Sequence, residues 1–301
     1  MTFNGKLLDG MVIFTEVIKT GSFTNAALSS GHSTSYISKE INKLEARLGV
    51  RLLHRTTRSI SLTPEGELYY QQCQQIIDDA EQLENAVSGR QSEPKGELRV
   101  SCPLSFGLSH IRPILSTFLK RYPLIDVELD LNDRKVDVVA DGFDVVLRAS
   151  GHLEDSSLIC QKVMSSYGVT LASPEYLQQY GTPEHPDDLI HHRTICYRLA
   201  KQPNVWGYLS ADNQPFQVQV NSRVVTSSPE MELSLCLDGQ GITRLPKFIL
   251  TDEIETGQLV PLFTDLPQTN VDIYLVYPSR KYMSSKVKCF IDFIKEELGD
   301  A

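Results

Sequence analysis

Hydroxyl, amide and ammonium side chains follow one face of the segment from residue 35 to residue 43. They are Ser35, Ser38, Lys39, Asn42 and Lys43, and Ser33, Thr34 or Ser35 can cap the helix at its start. The opposite face carries apolar residues spaced by four, three and four positions, as on one side of a helix: Ile37, Ile41, Leu44 and Leu48. The polar face is either an ordinary solvated surface or a set of groups for phosphates and base edges.

Three arginines follow this segment, at Arg51, Arg55 and Arg58, with no acidic residue before Glu65. The stretch between them is rich in β-branched and hydroxyl residues, which predicts a short β-hairpin. Guanidinium groups on such a hairpin suit backbone phosphates or a minor groove. The alternative is that they are unrelated surface arginines.

Two short helices must position these groups. Apolar periodicity predicts a first helix over 7–19 ended by Gly21, and Ser22 is a favourable N-cap for a second helix over 23–30. A compact helix, a short turn and a third helix that begins with hydroxyls are typical of a helix-turn-helix.

Charge is distributed unevenly along the 301 residues. Residues 1–62 carry eight Lys and Arg against four Asp and Glu, although the whole chain has a formal net charge of −9. A basic head on an acidic body indicates that only the head meets an anionic partner.

Thr63, Pro64 and Glu65 are an N-cap, a first-turn proline and a first-turn acid, which predicts a long helix to about residue 87. A heptad-like apolar stripe runs along it: Tyr69, Cys73, Ile76, Ala80, Leu83 and Val87. The stripe favours a coiled-coil seam and hence a dimer, and packing against its own domain is the alternative.

The polar stretch 88–97 indicates a hinge, and strands alternate with helices beyond it. Strands are predicted over 98–102, 127–131 and 143–150, with a short helix at VDVVADG, so a parallel sheet with crossovers is expected. The predicted fold class is a two-domain α+β and α/β chain. Its parts are a winged helix-turn-helix (1–62), a linker and dimerisation helix (63–90), and a two-lobed domain (91–301) with lobe I at 96–163 and 266–301 and lobe II at 164–265.

The six cysteines form no C-x-x-C pair and lie near no histidine at zinc-ligand spacing, so neither a metal nor a cofactor is predicted. No stretch resembles a secretory signal or approaches the ~20 apolar residues of a membrane span. A cytoplasmic protein with no membrane partner is expected.

The head motif GSFTNAALSSGHSTSYISKEINKLEARLGVRLLHRTTRSISLTPEG resembles that of LysR-type transcriptional regulators, and GELRVSCPLSFG, FLKRYP, DGFDVVLRAS and DGQGITRLPKF extend the likeness through the chain. The resemblance implies a homotetramer built from dimers that binds an interrupted inverted repeat at promoters and acts on RNA polymerase. It implies DNA contacts from the nine residues Ser33, Thr34, Ser35, Ser38, Lys39, Asn42, Arg51, Arg55 and Arg58.

The resemblance also implies a periplasmic-binding-protein-like effector domain with a small molecule between its lobes. The implied effector residues are Pro103, Leu104, Ser105, Phe106, Arg148, Thr226, Ser227, Ser228, Thr243 and Leu245. Hydroxyls, a helix N-terminus and a nearby cation favour an anionic effector. For Arg148, a structural ion pair is the alternative.

The sequence bears on three other functions. An enzyme is disfavoured because no G-x-S-x-G, H-E-x-x-H or P-loop is present, and a solute-binding transport component lacks the expected signal. A regulator of the same type that senses redox state through a low-pKa thiol, at Cys102 or Cys236, remains an alternative.

Overall fold

The computed structural model describes residues 6–55, 60–88, 93–151, 158–278 and 283–299. The chain divides into two compact units, the first ending at Glu93 and the second beginning at Pro94. Each unit buries its own apolar core.

The first unit contains three short helices, a small hairpin and a long helix. They are α1 (Met11–Thr20), α2 (Phe23–Ser30), α3 (Thr34–Leu48), β1 (Leu53–Arg55), β2 (Ile60–Leu62) and α4 (Pro64–Ser88). The Ser22 side chain accepts a hydrogen bond from the backbone N–H of Asn25, so the predicted N-cap of α2 is confirmed. The buried Ala26 and Ala27 have small side chains that let neighbouring helices approach closely.

Helix α1 begins later than the periodicity predicts. Residues 6–10 form a turn, and Gly10, with φ 82°, precedes the first helical residue, Met11. Leu7 and Leu8 are exposed and do not contribute to the core. The prediction of a start at residue 7 is therefore wrong, because a left-handed glycine interrupts the helical backbone there.

The hairpin and the start of α4 are held together by backbone contacts. The Thr63 hydroxyl accepts from the N–H of Gly66 at 2.9 Å and donates to the carbonyl of Arg51 at 2.7 Å, so Thr63 is the N-cap that the sequence predicts. A Cβ on Gly66 would lie 2.0 Å from the carbonyl oxygen of Leu52. Only glycine fits where the helix passes this strand.

The second unit is built on a five-stranded sheet of order β4-β3-β5-β14-β6. Its strands are β3 (Gly96–Cys102), β4 (Ile125–Leu131), β5 (Val145–Ser150), β6 (Leu158–Met164) and β14 (Asp272–Pro278). Between β3 and β4 the chain forms α5 (Leu104–Phe106), a π-helical turn (Gly107–Ile111) and α6 (Arg112–Arg121), and the unit ends with α9 (Ser285–Leu298).

This sheet is mixed, so the prediction of a parallel sheet is right only in part. Strand β3 pairs in parallel with β4 and β5, but β14 is antiparallel to both β5 and β6. The chain leaves the sheet through β6 and returns through β14, so the two crossing strands lie side by side and run in opposite directions. Val271 N–H donates to the carbonyl of Ser166 at 2.8 Å just outside this pair.

The segment VDVVADG forms turns over 138–142 and not the predicted short helix. The Asp137 carboxylate accepts hydrogen bonds from the backbone N–H groups of Val139 and Ala140, and the Asp141 carboxylate accepts from the N–H of Asp137. These local bonds compete with a helical pattern.

Three smaller sheets make up the rest of the second unit. Their order is β12-β7-β13, β11-β8 and β10-β9. The strands are β7 (Gly168–Ala172), β8 (Arg193–Tyr197), β9 (Val205–Leu209), β10 (Pro215–Gln219), β11 (Asn221–Thr226), β12 (Thr243–Pro246) and β13 (Val260–Leu262), with helices α7 (Pro174–Tyr180) and α8 (Pro229–Leu237). Among the described residues, no helix combines the length and apolar character needed to cross a bilayer.

Candidate nucleic-acid interface and ligand cleft

The polar face of α3 is exposed as its spacing predicts. Ile37, Ile41 and Leu44 are buried in the core of the first unit, which turns Lys39 and Asn42 toward solvent. Thr34 and Ser35 are also exposed, whereas Ser38 is half-buried.

Ser33 has a structural role at the start of α3. Its hydroxyl accepts a hydrogen bond from the N–H of Tyr36 at 3.2 Å and lies 3.0 Å from the hydroxyl of Ser35. His32 and Tyr36, with ring centroids 4.5 Å apart, flank this end of the helix.

Lys43, on this face, is partly neutralised by Glu40. Its Nζ lies 2.6 Å from Glu40 Oε1, and this hydrogen bond and charge pair raises the pKa of Lys43. Lys39 is therefore the more available cation of the two.

The predicted hairpin is present. Strands β1 and β2 pair antiparallel, with Leu53 opposite Leu62 and Arg55 opposite Ile60. Arg51 is exposed just before β1, the backbone of Arg55 lies in β1, and the side chain of Arg55 and all of Arg58 lie outside the described part. Glu45 Oε1 accepts from the N–H of Leu52 at 2.9 Å, which ties the entry of the hairpin to α3.

The apolar stripe of α4 divides into two halves. The aromatic ring of Phe14 lies 5.6 Å from that of Tyr69, and Cys73 is fully buried, so the first half packs inside its own unit. Burial raises the pKa of Tyr69 to about 12 and that of Cys73 to about 11. For Tyr69 and Cys73 the structure thus favours the intrachain alternative over a coiled-coil seam.

The second half of the stripe is exposed within the chain. Ile76 is 40 % exposed, Leu83 50 % and Val87 81 %, and Ala80 is exposed as well. This half therefore remains available to a second copy.

The second unit contains a cleft of about 1070 Å³ lined both by the five-stranded sheet and by the smaller sheets. Four of the ten predicted effector residues line it: Pro103, Ser105, Arg148 and Leu245. The other six do not: Leu104, Phe106, Thr226, Ser227, Ser228 and Thr243.

Several of the six have structural roles instead. The ring of Phe106 is buried and stacks on His110 at 4.7 Å. The Ser228 hydroxyl accepts from the N–H of Met231 as the N-cap of α8. The Thr243 hydroxyl is fully buried and directed at Glu232.

Arg148 is held by its own chain, since its guanidinium donates to the backbone carbonyl of Val136. The partner is a carbonyl and not the acid that the structural alternative proposed, although Arg148 also acts electrostatically on nearby Asp137.

Polar residues that the sequence did not indicate also line the cleft, among them Asp133, Tyr197 and Glu232. Glu232 had a readable signal, because it lies three residues after Pro229 and four before Cys236, which are both on the buried face of α8. Asp133 follows the end of β4 and Tyr197 is the last residue of β8, so only the fold brings them together.

Glu232 is a buried carboxyl group. It is 1 % exposed, and burial raises its pKa to about 8. The Thr243 hydroxyl lies 2.9 Å from Glu232 Oε2 and 3.2 Å from the carbonyl oxygen of Ile195. A proton on Glu232 Oε2 satisfies both contacts, because Glu232 then donates to Thr243 and Thr243 donates to Ile195.

We expect this carboxyl group to make folding stability fall with rising pH. Its pKa is about 8 in the folded protein against 4.5 as the ordinary value, so its contribution is complete below about pH 4.5 and is lost as pH rises through 8. The slope for one proton is about 1.4 kcal/mol per pH unit. Glu232→Gln removes this component, so its thermal stability relative to the natural protein should rise between pH 5 and 8. A constant difference across that range would contradict the prediction.

Neither cysteine of the redox alternative is a low-pKa thiol. Burial raises the pKa of Cys236 to about 12 and raises that of Cys102 as well. The thiol of Cys236 donates to the carbonyl of Leu171. A buried, protonated thiol is a poor nucleophile, so the structure does not favour the redox alternative at Cys102 or Cys236.

Comparison with known proteins gives matches in both units. Residues 8–67 match the family described as bacterial regulatory helix-turn-helix protein, lysR family, and residues 91–299 match the LysR substrate binding domain. An uncharacterized HTH-type transcriptional regulator of Haemophilus influenzae is 39 % identical over 280 residues, covering 93 % of this chain and 96 % of that protein.

Two solved full-length structures resemble the chain. CrgA, a LysR-type transcriptional regulator from Neisseria meningitidis, is 31 % identical with a TM-score of 0.61, and the match covers 99 % of this chain and 100 % of that one. The Vibrio cholerae virulence activator AphB is 27 % identical with a TM-score of 0.61, and the match covers 96 % of this chain and 98 % of that one.

These matches confirm the predicted two-domain fold class, and the relatives are regulators and not enzymes. With an N-terminal helix-turn-helix and a C-terminal substrate-binding domain, the chain belongs to the LysR family of DNA-binding transcriptional regulators.

Proposed function

We propose that the protein binds an interrupted inverted repeat in promoter DNA as a homodimer, that two dimers form a tetramer, and that a small molecule changes its action on RNA polymerase. In this proposal it acts in the cytoplasm. The winged helix-turn-helix comprises residues 1–62, the linker helix 63–90 and the effector domain 91–301.

The exposed polar face of α3 carries the proposal. Its buried apolar side fixes the helix in the first unit, and Thr34, Ser35, Lys39 and Asn42 face solvent together. A recognition helix reads base edges in the major groove with residues of its first turns. The same helix also presents Ser33 and Ser38.

The hairpin supports the proposal as a phosphate-binding wing. Arg51 is exposed where the chain enters β1, and Arg55 and Arg58 belong to the hairpin by sequence. Guanidinium groups hold phosphates without reading sequence, which positions the recognition helix on the duplex.

The exposed half of the α4 stripe supports the dimer. Ile76, Ala80, Leu83 and Val87 recur at intervals of three and four residues, the spacing of one helix face. Two such helices in contact would place two α3 helices on one duplex, with centres roughly 34–36 Å apart.

The cleft of the second unit supports the effector. It has the size of a small-molecule site and combines apolar walls with a few polar groups. Lobe I (96–163 and 266–301) and lobe II (164–265) would close on the ligand and shift the balance between two assemblies.

Selection from randomised duplex DNA by the full-length protein tests the proposal. The bound pool is sequenced at two salt concentrations. We expect an interrupted palindrome and an affinity that falls steeply with salt, because phosphate contacts release counterions. A protein that enriches no sequence at either salt concentration would contradict the proposal.

Replacing Arg51 by alanine should weaken binding to all sequences to a similar degree. Loss of one phosphate contact lowers the slope of log affinity against log salt by about 1. The matched control is Arg47→Ala, since the Arg47 guanidinium already donates to the carbonyl of Asp9 at 2.8 Å. Titration of one operator and one scrambled duplex measures both variants, and an unchanged slope for Arg51→Ala would remove Arg51 from the interface.

A further inference from the structure

One corner of the cleft presents buried oxygen atoms that lack donors. Glu232 is 1 % exposed and Ser105 is 7 % exposed, and both line the cleft. Within the described part of the chain, Glu232 Oε1 and Ser105 Oγ have no hydrogen-bond partner. A buried acceptor left without a donor costs free energy, so a ligand that donates here would be favoured.

The same corner brings several acidic residues close together. Burial raises the pKa of Asp133, and the charge of Glu230 raises it further. The charge of Glu230 also raises the pKa of Glu232, after the larger effect of burial. Burial raises the pKa of Tyr197, and the charges of Asp133, Glu232 and Glu230 raise it further. In the part of the chain that the structure describes, the charged groups that shift the pKa values of Asp133, Tyr197 and Glu232 are all acidic residues.

Four cations of the described residues also line the cleft: Arg134, Lys135, Arg148 and Arg244. Arg134 lies 3.8 Å from Asp130, and Arg148 donates to a backbone carbonyl as described above. The Arg244 guanidinium lies 4.9 Å from the ring centroid of Tyr208, although its Nε has no hydrogen-bond partner among the described residues. None of these cations is among the charged groups that shift the pKa values of Asp133, Tyr197 or Glu232.

Apolar side chains complete the walls around the corner. They include Val138, Leu158, Leu245, Phe248 and Val276. The cleft thus offers a hydrophobic surface next to a group of acceptors.

We propose that this acidic corner, formed by Ser105, Asp133 and Glu232, with Glu230 as a charged neighbour outside the lining, binds the protonated amine of an effector whose body is apolar. The inference rests on the proposed function, because it assigns the chemical class of the effector. It reverses the anionic class expected from the sequence, where Asp133 and Glu232 were not recognised.

Binding of an amine has a proton balance that can be measured. Because burial raises the pKa of Glu232 to about 8, the free protein carries this group largely as a carboxylic acid near neutral pH. When an ammonium group binds, the carboxyl O–H bond breaks, its proton passes to solvent, and the carboxylate accepts an N–H of the ligand. Affinity should therefore rise with pH up to about 8.

The test uses three probes with one apolar body: 2-phenylethylamine, 2-phenylethanol and 3-phenylpropionate. Binding to the full-length protein is followed by calorimetry at pH 6, 7 and 8, in buffers of differing ionisation enthalpy and with EDTA present. We expect the amine to bind roughly 10- to 100-fold more tightly than the alcohol or the carboxylate, which is the range of a hydrogen bond to a charged group. Proton release should accompany amine binding.

Glu232→Gln should bring the affinity for the amine down to that for the alcohol and abolish proton release. Glu253→Gln is the matched control, because Glu253 is also buried but accepts from Thr251 outside the cleft. It should bind the amine like the natural protein.

Equal affinities for the three probes, tighter binding of the carboxylate, or unchanged amine binding by Glu232→Gln would each overturn the proposal. The DNA selection described above is run on the same preparation. Operator binding without amine preference refutes the ligand class alone, whereas loss of DNA selectivity refutes the proposed function.

Discussion

A protein with Leu83 replaced by aspartate is expected to be monomeric and to bind its operator at least about 100-fold more weakly. Leu83 is half exposed in the middle of the free part of the α4 stripe, so a charge there would be buried between two helices in the proposed dimer. Without the dimer, two heads no longer act together, and the gain from bivalency, roughly 10²–10⁴, is lost. Sedimentation and operator titration measure the two effects.

Leu68→Asp is the matched control for this variant. Leu68 is also an exposed leucine of α4, but it lies outside the stripe. It should remain dimeric and keep its affinity. A Leu83→Asp protein that sediments as a dimer would place the seam on another surface.

Gly66→Ala is expected to unfold the first unit preferentially. The added Cβ would meet the carbonyl oxygen of Leu52 at 2.0 Å and displace α4 from the hairpin. The same carbonyl oxygen of Leu52 accepts a hydrogen bond from the backbone N–H of Thr63 at 3.0 Å. A cost of about 1–3 kcal/mol or more follows from such overpacking.

Hydrogen exchange separates this effect from global unfolding. Exchange of backbone amides in α1, α2 and α3 should accelerate by roughly 10-fold or more, since 1.4 kcal/mol corresponds to a factor of ten. Amides of the second unit should exchange at their original rates. Gly207→Ala is the control, because a Cβ there meets no atom within 4 Å. Normal exchange in Gly66→Ala would show that the helix accommodates the methyl group.

The head of the molecule could be predicted because its signals are local. Ser22 and Thr63 cap helices that start within a few residues, and the spacing of Ile37, Ile41 and Leu44 identifies the buried side of α3. Gly10 shows the limit of such local signals. The apolar pattern extends back to Leu7 and Leu8, but the helical backbone begins only after Gly10.

The stripe of α4 shows how one uniform pattern can run through two different environments. The spacing from Tyr69 to Val87 is uniform, but α1 covers only its beginning through Phe14. Periodicity identifies an apolar face, but it does not show which surface covers that face. The division after Cys73 needed the tertiary structure.

The cleft was harder to predict because its residues come from distant segments. Pro103 and Ser105 follow a predicted strand and were found, whereas Asp133 and Tyr197 meet Glu232 only through the folded chain. Thr243 was predicted to contact the effector, but it does not line the cleft, and its hydroxyl forms a hydrogen bond with Glu232. The antiparallel direction of β14 could not be predicted for a related reason. It depends on the position at which the chain re-enters the sheet after residues 165–271.

The position of β14 has a consequence for synthesis on the ribosome. Strand β6 pairs only with β14 in the five-stranded sheet, and β14 lies between β5 and β6. The ribosome must therefore synthesise residues 165–271 before β14 can pair between β5 and β6. Until then β5 exposes an unpaired edge of the kind that invites association between nascent chains. Residues 165–271, which form the smaller sheets, can therefore fold before β14 joins the five-stranded sheet.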